Sequence, residues 1–200
     1  MRIVSRTLLI LTGWPGAGKT RTASMIREWH PSLRLLSYDR LKEAWYEAQG
    51  FDSPAARRKL DEKSLAAFWR LLGREMETGA DILIEYPFCE KHVPALSALL
   101  EKHGYRGVTV VLEGEPKVLW QRYMGRDRRS NRHVSYVCDV YHKDGLKIRG
   151  RHPSLEEYRR EGLQKNYHIN LGETYVMDMT DLGGLDFSGL KAFLAEHLEA

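Results

Sequence analysis

Gly13-Trp14-Pro15-Gly16-Ala17-Gly18-Lys19-Thr20 fits the pattern G-x-x-x-x-G-K-[ST], and each residue type in it has a physical task. Glycines let the backbone turn tightly and aim its N–H groups at phosphate oxygens with no side chain in the way. Lys19 supplies a point charge, and Thr20 a hydroxyl able to ligate Mg²⁺. A helix opening at that point presents its positive end to the same anion. The flanks agree. Leu8-Leu9-Ile10-Leu11 is a continuous apolar run, as in a strand buried on both faces. Beyond the motif, Ala23, Ile26 and Trp29 recur at helical spacing until Pro31.

The alternation of strand and helix continues outward. Leu33 to Tyr38 reads as a second strand ending at Asp39, and Leu41 to Gln49 as a helix. Leu65, Phe68, Trp69, Leu72 and Met76 mark a long helix face closed by Gly79. Asp81-Ile82-Leu83-Ile84-Glu85 is a third strand with an acid at its end. A helix through Val93, Leu96 and Leu100 leads to the strand Val108 to Leu112. Pro116 opens the next helix, where proline is tolerated. Ser154 and Glu157 stand at capping-box spacing. Tyr175 to Asp178 reads as a last strand, and Leu190, Phe193, Leu194 and Leu198 as a closing amphipathic helix. Such βαβ alternation predicts an α/β fold of three layers, a parallel sheet covered by helices on both faces. Ligands then bind beyond the carboxyl ends of the strands. That rule singles out Gly13 to Thr20, Asp39 and Glu85.

The chain has 200 residues, 42% hydrophobic and 29% charged, which suits one globular domain spanning residues 1–200. No apolar run has the length of a bilayer span, and the first residues carry no cleavage-site pattern. The two cysteines, Cys89 and Cys138, form no C-x-x-C pair, so a disulfide framework is not expected and a cytoplasmic setting is. Cys138 and His142 are spaced like two metal ligands, but no second pair accompanies them. The net charge of +4 is concentrated. Residues 126–152 hold eight Lys/Arg against three acids, a net of +5, leaving −1 for the rest of the chain. Such a stretch attracts phosphate, of a nucleotide or of a nucleic acid. Val134, Val137, Val140, Leu146 and Ile148 are too scattered in it to build a core of their own, so it reads as an open segment.

The motif G-W-P-G-A-G-K-T and the layout around it resemble the small P-loop kinases, the group with chloramphenicol phosphotransferase, zeta toxins and the polynucleotide 5′-kinase domain. The resemblance implies a five-stranded parallel sheet in the order 2-3-1-4-5, with a basic lid (about 126–152) between the fourth and fifth strands. It implies ATP and Mg²⁺ as cofactors and a hydroxyl-bearing small molecule as acceptor. Gly13, Trp14, Pro15, Gly16, Ala17, Gly18, Lys19 and Thr20 would hold the nucleotide, with Thr20 and Glu85 at the metal. Asp39 stands where these kinases have an aspartate that takes the acceptor proton; the competing reading makes it the N-cap of the helix that follows. Arg122 and Arg126, four apart on a helix, match the arginines that answer charge on the transferring phosphoryl group. Arg128, Arg129 and Arg132 continue the series. Tyr38, Trp45, Tyr46 and Phe51 could stack on an acceptor near Asp39 or belong to the core.

Two alternatives remain open on sequence: transfer to the 5′-hydroxyl of a polynucleotide, and a nucleotide-binding regulator or ATPase that transfers nothing. No N-K-x-D guanine-reading motif and no L-S-G-G-Q signature is present. Concentrated lid arginines favour transfer, because a closed lid excludes water.

Overall fold

The computed structural model describes residues 6–127 and 133–198, so Arg128, Arg129 and Arg132 lie outside the described residues. In chain order the elements are β1 (Thr7–Gly13), α1 (Lys19–Trp29), β2 (Arg34–Ser37), α2 (Tyr38–Gln49) and α3 (Pro54–Glu77). Then come β3 (Ile82–Glu85), α4 (Val93–His103), β4 (Arg106–Glu113) and α5 (Pro116–Asp127). The hairpin β5 (Cys138–Tyr141) and β6 (Lys147–Arg149), α6 (Leu155–Lys165), β7 (Glu173–Asp178) and α7 (Ser188–His197) complete the chain.

Five strands form one parallel sheet in the order β2-β3-β1-β4-β7. Counted within the sheet alone, this is the expected 2-3-1-4-5. Alternation along β1 divides its side chains between two cores. Leu9 and Leu11 join Leu83, Val108, Val110 and Leu112 under α1, α5 and α7, with Ile26, Leu119, Leu190 and Leu194 as partners. Leu8 and Ile10 join Ile82 and Ile84 on the other face, against Phe68, Leu72 and Met76 of α3 and Leu96 of α4. Leu8 to Leu11 are 0% exposed. Each such side chain stabilises the fold by roughly 1.5–3 kcal/mol relative to exposure, which is why a run apolar at every position sits at the sheet's centre.

Helix boundaries follow local chemistry. Ser154 accepts from the Glu157 N–H at 3.2 Å while Glu157 Oε2 accepts from the Ser154 N–H at 2.8 Å, the capping box read from sequence. Pro116 is the first residue of α5, and Glu115 Oε2 takes the Val118 N–H at 2.9 Å.

The basic stretch departs from expectation. Its described part is no open segment: a 3-10 turn at Val134–Val137 leads into the β5–β6 hairpin. A third apolar cluster joins Cys138 and Tyr141, with Val134, Tyr136 and Val137, to Tyr46 of α2, Phe51 and Leu60 of α3. The scattered valines suffice because α2 and α3 supply the rest of that core. Phe51 and Tyr141 exchange backbone hydrogen bonds of 2.8 Å, extending the contact. Leu146 and Ile148 stay exposed at 62% and 47%.

Candidate active site

A cleft of about 1220 Å³ opens at the carboxyl ends of β1, β2 and β3. Its floor is the Gly13–Thr20 loop. Gly13 has φ +133°, and a Cβ there would lie 2.1 Å from the Leu112 carbonyl oxygen; at Gly16, φ +90°, it would lie 2.3 Å from that of Leu119. Both positions admit only glycine, so the loop is pressed against β4 and α5 by backbone alone. Lys19 folds over the loop, its Nζ donating to the carbonyls of Gly13 (3.0 Å) and Trp14 (2.9 Å). Burial and the neighbouring Arg126 lower the Lys19 pKa to about 8, against the opposing pull of Asp39 and Glu85.

Thr20 and Glu85 meet as the sequence implied. β3 pairs directly with β1, which brings the Glu85 carboxylate to the start of α1. Thr20 Oγ1 donates to Glu85 Oε2 at 3.1 Å and Ser37 Oγ to Glu85 Oε1 at 3.1 Å. Burial, then the charge of Asp39, raises the Glu85 pKa. These oxygens suit Mg²⁺, which takes hard donors and commonly only one or two protein carboxylates, the rest coming from water and phosphate. Among the described residues no group of three His, Cys, Asp or Glu could hold a metal by itself. Cys138 is buried and His142 Nε2 lies 2.6 Å from Asp52 Oδ1, so that pair is core and surface.

Asp39 is not the N-cap. β2 stops at Ser37, which occupies the cap position with its hydroxyl turned to Glu85, and Asp39 falls in the first turn of α2. An acid there faces the positive helix end. Among the described residues nothing donates a hydrogen bond to its carboxylate, and its charge is felt at Lys19 and Glu85.

The two arginines of α5 part company. Arg126 lines the cleft beside Lys19, its guanidinium 5.6 Å above the Tyr123 ring. Arg122 borders the cleft, but its guanidinium is committed to the carbonyls of Met179 and Thr180 beyond β7, the latter at 2.7 Å. Two carbonyls thus hold part of its donor set and fix the guanidinium at the edge of the cleft toward β7. Trp14 also behaves differently from a cleft-facing residue. Its ring packs on Tyr158 (5.4 Å) and Tyr167 (5.9 Å), and a Cβ at Gly162 of α6 would lie 2.0 Å from it. Tyr158 OH donates to the Pro15 carbonyl at 2.6 Å, so α6 clamps the loop from above. Of the four aromatics weighed for stacking, Tyr38, Tyr46 and Phe51 are core, and Trp45 packs against the third cluster. Tyr86 and Tyr136 line the cleft instead. No periodicity in the sequence marks them; their positions just after β3 and before β5 were the available signal.

Fold and site define a P-loop protein of the kinase fold. Residues 4–144 match the zeta toxin family model, and the chain belongs to that family. No curated protein matches it. Among solved structures it is similar to a candidate kinase from Chloroflexus aurantiacus j-10-fl: TM-score 0.75, 19% identity, covering 98% of this chain and 97% of that one. The Mycobacterium tuberculosis APS kinase CysC, in complex with AMPPNP and APS, gives TM-score 0.55, 14% identity, 98% and 99%. A gluconokinase from Sinorhizobium meliloti 1021 gives 0.52, 16% identity, 99% and 97%.

Proposed function

We propose that the protein is an ATP- and Mg²⁺-dependent kinase that transfers the γ-phosphate of ATP to a hydroxyl of a small molecule. The observation that carries this reading is the convergence on one cleft of the Gly13–Thr20 loop, the Thr20–Glu85 pair and a carboxylate, Asp39, to which nothing among the described residues donates a hydrogen bond. The acceptor oxygen forms a bond to the γ-phosphorus as the bond from that phosphorus to the bridging oxygen breaks and ADP leaves. Asp39 takes the hydroxyl proton. Lys19 and Arg126 answer the charge developing on the phosphoryl oxygens. Bound at Thr20 and Glu85, Mg²⁺ would neutralise charge shared between the β- and γ-phosphates. The solved neighbours described as kinases support the same chemistry.

A small acceptor is favoured over a polynucleotide end because the basic stretch is partly neutralised within the protein. Lys143 pairs with Glu47 at 2.9 Å and Arg151 with Glu157 at 2.6 Å. Two buried free thiols fit a reducing compartment such as the cytoplasm, and no helix among the described residues is long and apolar enough to cross a membrane. The test is ADP release over a panel of sugars, hydroxy acids, nucleosides and 5′-hydroxyl oligonucleotides. Acceptor-dependent release with a phosphorylated product supports transfer; ADP release indifferent to every acceptor supports the regulator or ATPase reading. Product on oligonucleotides alone, lost steeply with salt, supports the polynucleotide kinase reading.

A further inference from the structure

Lys42 takes no part in the phosphate chemistry, yet its charge is deeply enclosed. It stands one turn beyond Asp39 on α2, so both side chains leave one face of that helix. The residue is 7% exposed. Its ammonium lies 5.6–5.8 Å from the ring centroids of Tyr38, Tyr46, Tyr86 and Tyr136. Tyr38 and Tyr46 belong to the core, whereas Tyr86, Tyr136 and Lys42 itself line the cleft. Lys42, Tyr86 and Tyr136 therefore meet at the wall of the cleft that Asp39 also lines.

Among the described residues that charge meets carboxylates but no short hydrogen bond. Asp61 Oδ1 of α3 stands 3.6 Å from Nζ, and the same oxygen already accepts the Tyr46 hydroxyl. Arg57, above the Tyr46 ring at 5.6 Å, lies in the field of the same carboxylate. Among the described residues nothing accepts a hydrogen bond from Lys42 within 3.5 Å. Lys42 and Arg57 thus share Asp61, Asp39 adds its field at Lys42, and the Lys42 ammonium stands at a cleft-lining position without a short hydrogen bond to the described residues. The Tyr86 hydroxyl on that wall has no hydrogen-bond partner among the described residues, and burial keeps it protonated.

We propose that Lys42, assisted by the Tyr86 hydroxyl, binds an anionic group of the acceptor: a carboxylate, phosphate or sulfate. The inference rests on the kinase reading of the cleft and narrows its substrate class to anionic hydroxyl compounds. An anion adds ion-pair attraction to the charge-assisted hydrogen bonds that the Lys42 ammonium donates, which a neutral acceptor does not. Side chains three apart on a helix start about 5–6 Å apart at Cβ. A hydroxyl on Asp39 and an anionic group on Lys42 therefore fit within one small molecule such as a hydroxy acid, a sugar acid or a sugar phosphate.

The probe is inorganic sulfate, titrated calorimetrically into protein saturated with Mg²⁺ and a non-hydrolysable ATP analogue, so that the phosphate loop is already filled. One saturable sulfate site is expected, weakened at least tenfold by Lys42→Met, severalfold by Tyr86→Phe, and not by Lys191→Met on the remote α7. Absence of the site in the wild type, or affinity unchanged in both Lys42→Met and Tyr86→Phe, overturns the proposal. Should Lys42→Met not fold, the wild-type titration and Tyr86→Phe still decide. Paired acceptors complete the test: gluconate against glucitol, and glycerate against glycerol. Turnover of the anionic partner is expected, with a raised KM in Lys42→Met. Turnover of the neutral partners alone overturns the anion site and leaves the kinase reading standing. Sulfate bound at Lys42 with no phosphate transferred to any hydroxyl breaks the kinase reading and with it the acceptor role.

Discussion

The two halves of the cleft are built by different means. On the proposed nucleotide side, the loop is shaped by glycines whose missing side chains let it touch Leu112 and Leu119, and most of its charged groups, Arg126 of α5 excepted, are adjacent in sequence or on neighbouring strands. On the proposed acceptor side, Asp39 and Lys42 share one helix, but the walls around them come from afar. Tyr136 OH donates to the Asp39 carbonyl at 3.2 Å across 97 residues of chain, and His133 reaches Glu47 at 3.2 Å across 86. A phosphate is the same object for every enzyme that binds it, so backbone geometry can serve. An acceptor is particular, and its pocket is assembled from side chains that distant segments bring together.

The sharpest way to break this division is at Asp39, where the halves meet. Asp39→Asn keeps size and polarity but removes basicity. Transfer should fall by roughly 10²–10⁴ while binding of Mg²⁺ with an ATP analogue persists. Single-turnover kinetics beside analogue titration would show it; unchanged transfer would remove Asp39 from the chemistry.

Lys19→Ala probes the nucleotide half alone. Losing the cation at the β- and γ-phosphates should slow transfer by roughly 10²–10³, the cost of deleting one preorganised electrostatic donor. Melting without nucleotide should change little, because among the described residues the ammonium's hydrogen bonds run to two loop carbonyls. A variant that turns over normally would sink the kinase reading.

The clamp on the loop makes a third test. In Gly162→Ala the new Cβ would collide with the Trp14 ring, so α6 or the loop must move, at a cost of about 1–3 kcal/mol. Analogue affinity should drop as well, because Trp14 is part of the loop backbone. Adding Trp14→Ala should recover much of the loss, a coupling that a double-mutant cycle measures. Additive losses would mean that the ring contact does not transmit to the loop.

What the sequence made legible follows the same division. Loop, strand order, Glu85 and the Ser154 cap were readable because each depends on residues close in sequence or on strand periodicity. Asp39 was readable as a strand-end acid; its rival reading as a cap failed because β2 ends two residues earlier and Ser37 takes that position. Lys42 was not readable, since one lysine on an amphipathic helix carries no pattern, and its four rings come from three separate stretches of chain. The hairpin was missed for a related reason: its valines complete a core whose larger members, Tyr46, Phe51 and Leu60, lie some 80 residues away. The bonds of Arg122 to the Met179 and Thr180 carbonyls were not readable, because those carbonyls follow β7, some 57 residues away.

The smallest expected effect tests whether the hairpin and the Asp39 helix act as one unit. Tyr136→Phe removes a single hydroxyl, the one bonded to the Asp39 carbonyl, and leaves the ring in the third cluster and beside Lys42. A hydrogen bond of this kind contributes about 0.5–1.5 kcal/mol net. If that energy holds the hairpin against the turn carrying Asp39, its loss should appear in acceptor KM as a rise of roughly 2- to 10-fold. Analogue affinity should stay the same, because the hydroxyl removed bonds to the Asp39 carbonyl and not to the phosphate loop. Fold stability should fall by no more than the bond itself contributes, since the aromatic packing remains. Equal changes in nucleotide and acceptor binding would show that the cleft responds as a whole, and the distinction between its halves would have to be given up.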